Sequence, residues 1–191
     1  MVIPSPEGLA NDYSRLIDIE RESYGRWVPD LPISIVIPVF NRSDILAKTL
    51  HMITHQTYPL DLIEVVIADD GSSEDTLSVV NPFREKLNIT YTNQEDKGYR
   101  LSAARNMGIR ASSNDHIIIL DADVAPIPNL VEAYARRFSV TSRAVLCGHR
   151  RYVDANSLEP GDLIEGPSKM LSLPDIITQN EVFKKDGHAL D

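Results

Sequence analysis

The sequence predicts an α/β fold: a doubly wound, mostly parallel sheet with helices on both faces. Three observations carry this expectation. Short β-branched apolar runs recur along residues 33–153. Each run but the last is followed by a stretch in which apolar residues return at helical spacing or helix formers dominate. Aspartates and other polar residues gather where the apolar runs end, the place where ligands bind in open parallel sheets.

The elements follow in order. "ISIVIPVF" is short, apolar and β-branched, so a buried strand. "NRSDILAKTLHMITHQ" places Ile45, Leu46, Leu50 and Ile53 on one helical face. "LIEVVIA" is a second buried strand. "SSEDTLSVVNPFREKL" opens with Ser72 and Asp75 in capping-box spacing and predicts a helix. "NITYTNQ" is a third strand, and "RLSAARNMGIRAS" a helix carrying one glycine. "HIIIL" is a fourth strand, "PNLVEAYARRF" a helix with Pro128 near its start, and "RAVLCGHRRYV" a fifth strand. Residues 1–30 read as a polar arm, in which "SRLIDIERESYGRW" forms a short amphipathic helix. Residues 154–191 hold three prolines and three glycines with no clear strand, and predict loops and short helices. The expected organisation is an arm at 1–30, an α/β domain at 31–153 and a loop-rich region at 154–191.

Bulk properties narrow the function. The 191 residues are 42% apolar and 25% charged, which suits one globular domain with a sizeable core. No apolar run approaches the ~20 residues needed to cross a membrane, and no basic start precedes an apolar core as in a signal peptide. A cytoplasmic location is expected, with peripheral membrane association compatible. The one cysteine, Cys147, sits in the apolar run "AVLCG" and reads as a small buried hydrophobe. A net charge of −9 argues against nucleic acid as partner, but not against a small anionic ligand held by a divalent metal and a few basic residues.

The chemistry should lie at the strand ends. In "LDADVAP", Asp121 and Asp123 are two residues apart, so on a strand both carboxylates point the same way. Two carboxylates that close repel unless a cation lies between them, and Mg²⁺ and Mn²⁺ favour such oxygens together with substrate phosphates. The motif is also compatible with one helix cap and one solvated aspartate. In "IADDGSS", Asp69 and Asp70 meet a glycine turn. A turn needs only one of them, so the other is free to accept from a base imide N–H or to bind a ribose hydroxyl. Lys97, Arg100 and Arg105 lie before or within a helix start, where guanidinium groups and the helix dipole suit phosphate oxygens; a solvated basic face is the alternative, and the preferred one for Arg110.

Together "SIVIPVFNR", "VVIADDGSSEDT", "GYRLSAARNMGI" and "ILDADVAPIPNLV" resemble the family 2 glycosyltransferases, which share the GT-A fold. "DKGYRLSAARNMGIRAS", "GHRRYVDANSLEPGDL" and "LSLPDIITQNEVF" are similar to the transferase domains of bacterial chondroitin polymerases, extending the likeness to nearly residue 191. The resemblance implies roles residue by residue. Pro38, Phe40 and Asn41 line a uridine pocket, and Asp70 binds the uracil. Arg100 contacts the diphosphate, Asp121 reaches the ribose or the metal, and Asp123 binds the metal, Mn²⁺ or Mg²⁺. The implied reaction is inverting transfer from a UDP-sugar to a saccharide acceptor in polysaccharide synthesis. Such a reaction needs stabilisation of the departing diphosphate and a carboxylate base for the acceptor hydroxyl.

That base is not found. The family places it in a Glu-Asp pair well downstream of Asp-x-Asp, and no such pair follows residue 123; Glu74-Asp75 and Glu95-Asp96 lie upstream. Asp186 and Asp191 stand outside the motif, so the catalytic base is unassigned. The expectation is a truncated chain, a donor-nucleotide half that binds UDP with metal but transfers sugar poorly. A non-catalytic nucleotide-sugar-binding module is the alternative. A nucleotidyltransferase is disfavoured because "PVFNRSD" lacks a glycine-rich basic loop.

Overall fold

A computed structural model of the chain describes residues 28–140 and 145–148. The chain divides into two compact units, residues 28–135 and the remainder, 1–27 with 136–191. The sheet and the strand ends belong to the first. Of the expected polar arm only residues 28–30 fall within the described residues, and of the expected region 154–191 none do.

Four strands form one parallel sheet: β1 (Ile33–Val39), β2 (Ile63–Asp69), β3 (Asn88–Asn93) and β4 (His116–Ile119), in the order β3-β2-β1-β4. Every residue of β1 and β2 is buried, which is why both read as unbroken apolar runs rather than alternating ones. Helices α1 (Ser43–Ile53) and α2 (Thr76–Val80) connect β1 to β2 and β2 to β3. Helix α3 (Leu101–Ala111) carries the chain back across to β4, and α4 (Leu130–Phe138) follows. Because the first two crossovers run one way along the sheet and the third returns, right-handed connections put α1 and α2 on one face and α3 on the other. The doubly wound expectation therefore holds. The point where the strand order reverses lies between β1 and β4.

Local chemistry sets each element. In α1, Leu46, Leu50 and Ile53 are fully buried at i, i+4 and i+7. No side chain of Arg42 caps this helix; instead the Glu74 carboxylate accepts from the Ser43 N–H at 2.9 Å, satisfying one of the orphan donors of the first turn. The expected helix from Ser72 is shorter than its sequence pattern. Asp75 itself is the N-cap, its carboxylate accepting from the Ser78 N–H at 3.1 Å, and Pro82 converts the segment after Val80 into a 3₁₀ turn over Asn81–Glu85. Gly108 lets α3 lie close on the sheet, since a Cβ there would overlap Val36 Cγ1 and meet Ala68 Cβ at 3.1 Å. Pro38 sits in a central strand yet costs no ladder bond. Val36 accepts from Leu120 N–H on the β4 side, and Pro38, of the same parity, faces that side beyond the end of β4.

Two expectations change at the C-terminal side. Of the expected fifth strand, residues 145–148 carry no strand and the rest lie outside the described residues. Cys147, expected buried, is exposed. An apolar run becomes a buried strand only where a neighbouring strand pairs with it, and among the described residues none pairs with these four.

The amino end of the sheet holds a buried acid that the apolar pattern of "LIEVVIA" conceals. Glu64, 4% exposed, accepts from the Ser34 hydroxyl at 2.6 Å, the Ser113 N–H at 2.8 Å, the Ser113 hydroxyl at 3.1 Å and the Thr90 hydroxyl at 3.2 Å. Asn114 donates to Ser34 Oγ at 3.1 Å and completes the cluster. Burial pushes the Glu64 carboxyl up, but the hydrogen bonds together outweigh it and hold the carboxyl below its usual range.

Candidate functional site

The carboxyl ends of β1, β2 and β4 are tied together by short polar contacts. At the end of β1, Asn41 adopts a left-handed backbone (φ 49°), a conformation asparagine tolerates better than most residues. Its N–H donates to Ser72 Oγ at 2.9 Å, and its side-chain oxygen accepts from the Ser73 N–H at 2.9 Å and the Ser73 hydroxyl at 3.1 Å. Asn41 thus clamps the turn after β2. Of the other residues expected around a uridine, Pro38 is buried within β1, and Phe40 is 42% exposed at its end.

The paired aspartates divide their work because neighbouring strand residues point to opposite faces. Asp69 closes the turn. One of its oxygens accepts from the N–H groups of Gly71 (3.1 Å) and Ser72 (2.7 Å), the other from the Tyr91 hydroxyl (2.9 Å). Burial raises the Asp69 carboxyl, hydrogen bonds from Ser72 and Tyr91 lower it by more, and it ends below the ordinary range; Tyr91 is pushed up by burial and by this carboxylate. Asp70, 5% exposed, turns the other way: its Oδ2 accepts from the Arg100 N–H at 2.9 Å and its Oδ1 from the Gln94 amide. The Arg100 guanidinium stands 3.7 Å from Asp70 Oδ1 and also donates to the Glu95 carbonyl. Gly71 is required between them and the next turn. Its φ is +91°, and a Cβ would overlap the backbone of Asp96.

Beyond β4 the strand geometry ends sooner than expected. The strand stops at Ile119, and the Val124 N–H donates to the Asp121 carbonyl at 3.0 Å, making Asp121–Val124 a tight turn. The alternation of an extended strand therefore does not govern how Asp121 and Asp123 are aimed. The Asp121 carboxylate is bound by the Arg105 guanidinium of α3, Nη2 to Oδ1 at 2.6 Å, with both side chains one-third exposed. Asp123 is exposed. No group of three or more His, Cys, Asp or Glu side chains placed to hold a metal occurs among the described residues. The chemistry of the pair suits a hard cation that takes most of its oxygens from phosphates and water, not a closed protein cage.

Several positioning residues escaped the sequence reading. From α1, the Thr49 hydroxyl donates to the Ala122 carbonyl at 2.7 Å and so holds the turn between the two aspartates. Gln56 donates to the Ile127 carbonyl at 2.9 Å and accepts from the Val131 N–H at 3.0 Å, linking the loop after Asp123 to the start of α4. The signal for both was polar residues on the buried side of an amphipathic segment. Arg100 and Arg105, near one another in sequence, secure the ends of two different strands, β2 and β4.

Comparison with known proteins accords with this geometry. The model of glycosyl transferase family 2 matches residues 34–189. The chain is 41% identical over 153 residues to a chondroitin synthase of Escherichia coli, covering 80% of this chain and 22% of the relative. It is 38% identical over 155 residues to a hyaluronan synthase of Pasteurella multocida, covering 80% of this chain and 16% of the relative. The chain thus spans about a fifth of the length of these curated relatives. Among solved structures it is similar in fold to the mannosyltransferase PcManGT of Pyrobaculum calidifontis, in complex with GDP-Man and Mn²⁺ (TM-score 0.52, 23% identity, 71% of this chain and 43% of that one). It is also similar to residues 1–349 of S. aureus TarS in complex with UDP (TM-score 0.50, 24% identity, 55% of this chain and 31% of that one). A parallel sheet of this topology, similar in fold to such enzymes, and a family match over most of its length lead to one conclusion: the chain has the GT-A fold and belongs to glycosyl transferase family 2.

Proposed function

We propose that this chain is the donor-nucleotide part of a metal-dependent inverting glycosyltransferase that acts on a UDP-sugar and a saccharide acceptor in polysaccharide synthesis. The observation that carries the reading is the convergence of Asp70, Asp121 and Asp123 at the carboxyl end of a switch-point sheet in a family 2 chain. The UDP held by the TarS neighbour and the chondroitin and hyaluronan synthase relatives support this donor and product class, and the GDP-Man of PcManGT supports a nucleotide-sugar donor more broadly.

In this reading Pro38, Phe40 and Asn41 form the base side of the site and Asp70 accepts the uracil imide N–H. Asp70 already accepts two hydrogen bonds, from the Arg100 N–H and Gln94, so it is rigid before ligand arrives. Arg100 swings from the Glu95 carbonyl toward the diphosphate, a short move for a guanidinium whose Nε is buried without a partner among the described residues. Asp121 would hold the ribose, and Asp123, with Asp121 beside it, would hold Mn²⁺ or Mg²⁺. When bound, that ion neutralises charge developing on the departing diphosphate. The protein's own part is to fix donor orientation and set cationic donors around the phosphates before reaction. Residues 31–153 form the donor domain and 154–191 the start of the acceptor side, with the enzyme working in the cytoplasm. No helix among the described residues is long and apolar enough to cross a membrane. No residue is assigned as base.

Calorimetric titration with UDP, with and without Mn²⁺, tests this. UDP should bind at least about tenfold tighter with metal, as Asp123 and Asp121 would hold it beside the nucleotide, and GDP more weakly than UDP. Metal-independent binding sinks the metal bridge, equal GDP binding sinks the uridine assignment, and absence of binding sinks the donor reading. Sugar transfer from a UDP-sugar separates an enzyme from a binding module.

A further inference from the structure

We propose that Arg105 is a positioning residue for the nucleotide site: it fixes the Asp121 carboxylate as a hydrogen-bond acceptor and so leaves the cation to Asp123. This rests on the donor reading above. Asp121 opens a tight turn and is not on a strand, so the backbone alone does not set its carboxylate direction. The 2.6 Å contact from Arg105 Nη2 to Oδ1, between residues 16 apart in sequence, holds it. A carboxylate neutralised at one oxygen by a guanidinium is a weaker ligand for a second cation, but its several lone pairs keep it a hydrogen-bond acceptor.

The fold makes this contact possible in two steps. Gly108, one turn further along α3, brings the helix so close to Val36 and Ala68 that no side chain fits between. Thr49 fixes the other half of the contact by holding the Ala122 carbonyl, the centre of the turn that Asp121 opens. Arg105 therefore spans two independently anchored segments. Its Nε is buried without a hydrogen-bond partner among the described residues, so its present geometry is kept although one donor is unsatisfied. A surface ion pair kept only for stability would not be expected to bury an unsatisfied donor.

The test is calorimetry of the full chain with UDP, with and without Mn²⁺, on wild type, Arg105→Gln, Asp121→Asn, the double variant and Asp123→Asn. Arg105→Gln and Asp121→Asn should each weaken UDP about tenfold, the scale of one charge-assisted hydrogen bond. The double variant should be no weaker than the poorer single, because both remove the same interaction. The factor by which Mn²⁺ tightens UDP should survive in Arg105→Gln and vanish in Asp123→Asn. Thermal unfolding of each variant reads folding separately. If wild type binds UDP and Arg105→Gln binds it equally well, the positioning role is overturned alone. The same holds if losses add, or if Arg105→Gln abolishes the Mn²⁺ effect. If wild type does not bind UDP, the donor reading falls, and this inference with it.

Discussion

Both ends of the sheet hold carboxylates, and they are treated differently. At the amino end Glu64 is saturated by neutral donors from Ser34, Thr90 and Ser113, with no ion pair to it among the described residues. At the carboxyl end Asp70 and Asp121 lie beside Arg100 and Arg105, and Asp123 is exposed. A buried acid whose lone pairs are filled by hydroxyls and an amide is a structural joint, since any ligand would have to break several hydrogen bonds at once. Carboxylates paired with part-exposed guanidinium groups at a rim lie within reach of a ligand. Burial alone does not distinguish the two: Glu64 and Asp70 are 4% and 5% exposed. The partners do.

The largest effect should come from breaking the closed end. Glu64→Leu strands three hydroxyl groups and an N–H, and should cost about 3 kcal/mol of stability, read by urea unfolding. UDP affinity of the folded fraction should not change; a parallel loss of binding would mean that the two ends are not separate in function. Next is Gly71→Ala at the open end, where a positive φ and the Asp96 backbone both oppose a Cβ. About 1–2 kcal/mol of stability should be lost, and UDP affinity should fall by a larger factor than in Glu64→Leu, because the turn carries Asp70 and the Arg100 loop. Equal affinity in the two variants would erase the comparison.

The smallest effect is acid sensitivity. Glu64 and Asp69 both have carboxyls lowered in the folded chain. Each contributes stability that is fully present above the unfolded carboxyl range of about 4 and is lost as pH falls through the folded value. Unfolding midpoints measured from pH 6 down to pH 3 should therefore decline, and Glu64→Leu should flatten part of that decline. An unchanged slope would assign the acid response to other carboxylates.

Much of the fold was legible because burial on both faces leaves a plain mark: β1 and β2 are apolar without alternation, and their helices show helical spacing. The candidate residues were legible as a cluster at strand ends, but their division of labour was not. Whether Asp69 or Asp70 served the turn depended on which face each met, which sequence order does not state. The aim of Asp121 depended on where β4 stopped, and strand ends are set by the neighbour's length. Asp121–Arg105 and Thr49–Ala122 join distant segments, so no local pattern announces them. Glu64 did leave a trace, a lone acid in an otherwise apolar run, and a buried central strand demands partners for such a residue. The Ser72 capping box failed because Asp75 offered a competing cap and Pro82 shortened the helix that followed.

The hold of Thr49 and Gln56 on the loop after β4 has a consequence for engineering. Anyone transplanting the Asp-x-Asp loop from another transferase, to change which donor is accepted, would be moving half of a two-part joint. The other half lies some seventy residues earlier, on α1 and just past its end, a segment assigned no ligand contact. Chimeras should exchange α1 together with the loop, and libraries that randomise the loop alone should be rich in misplaced turns.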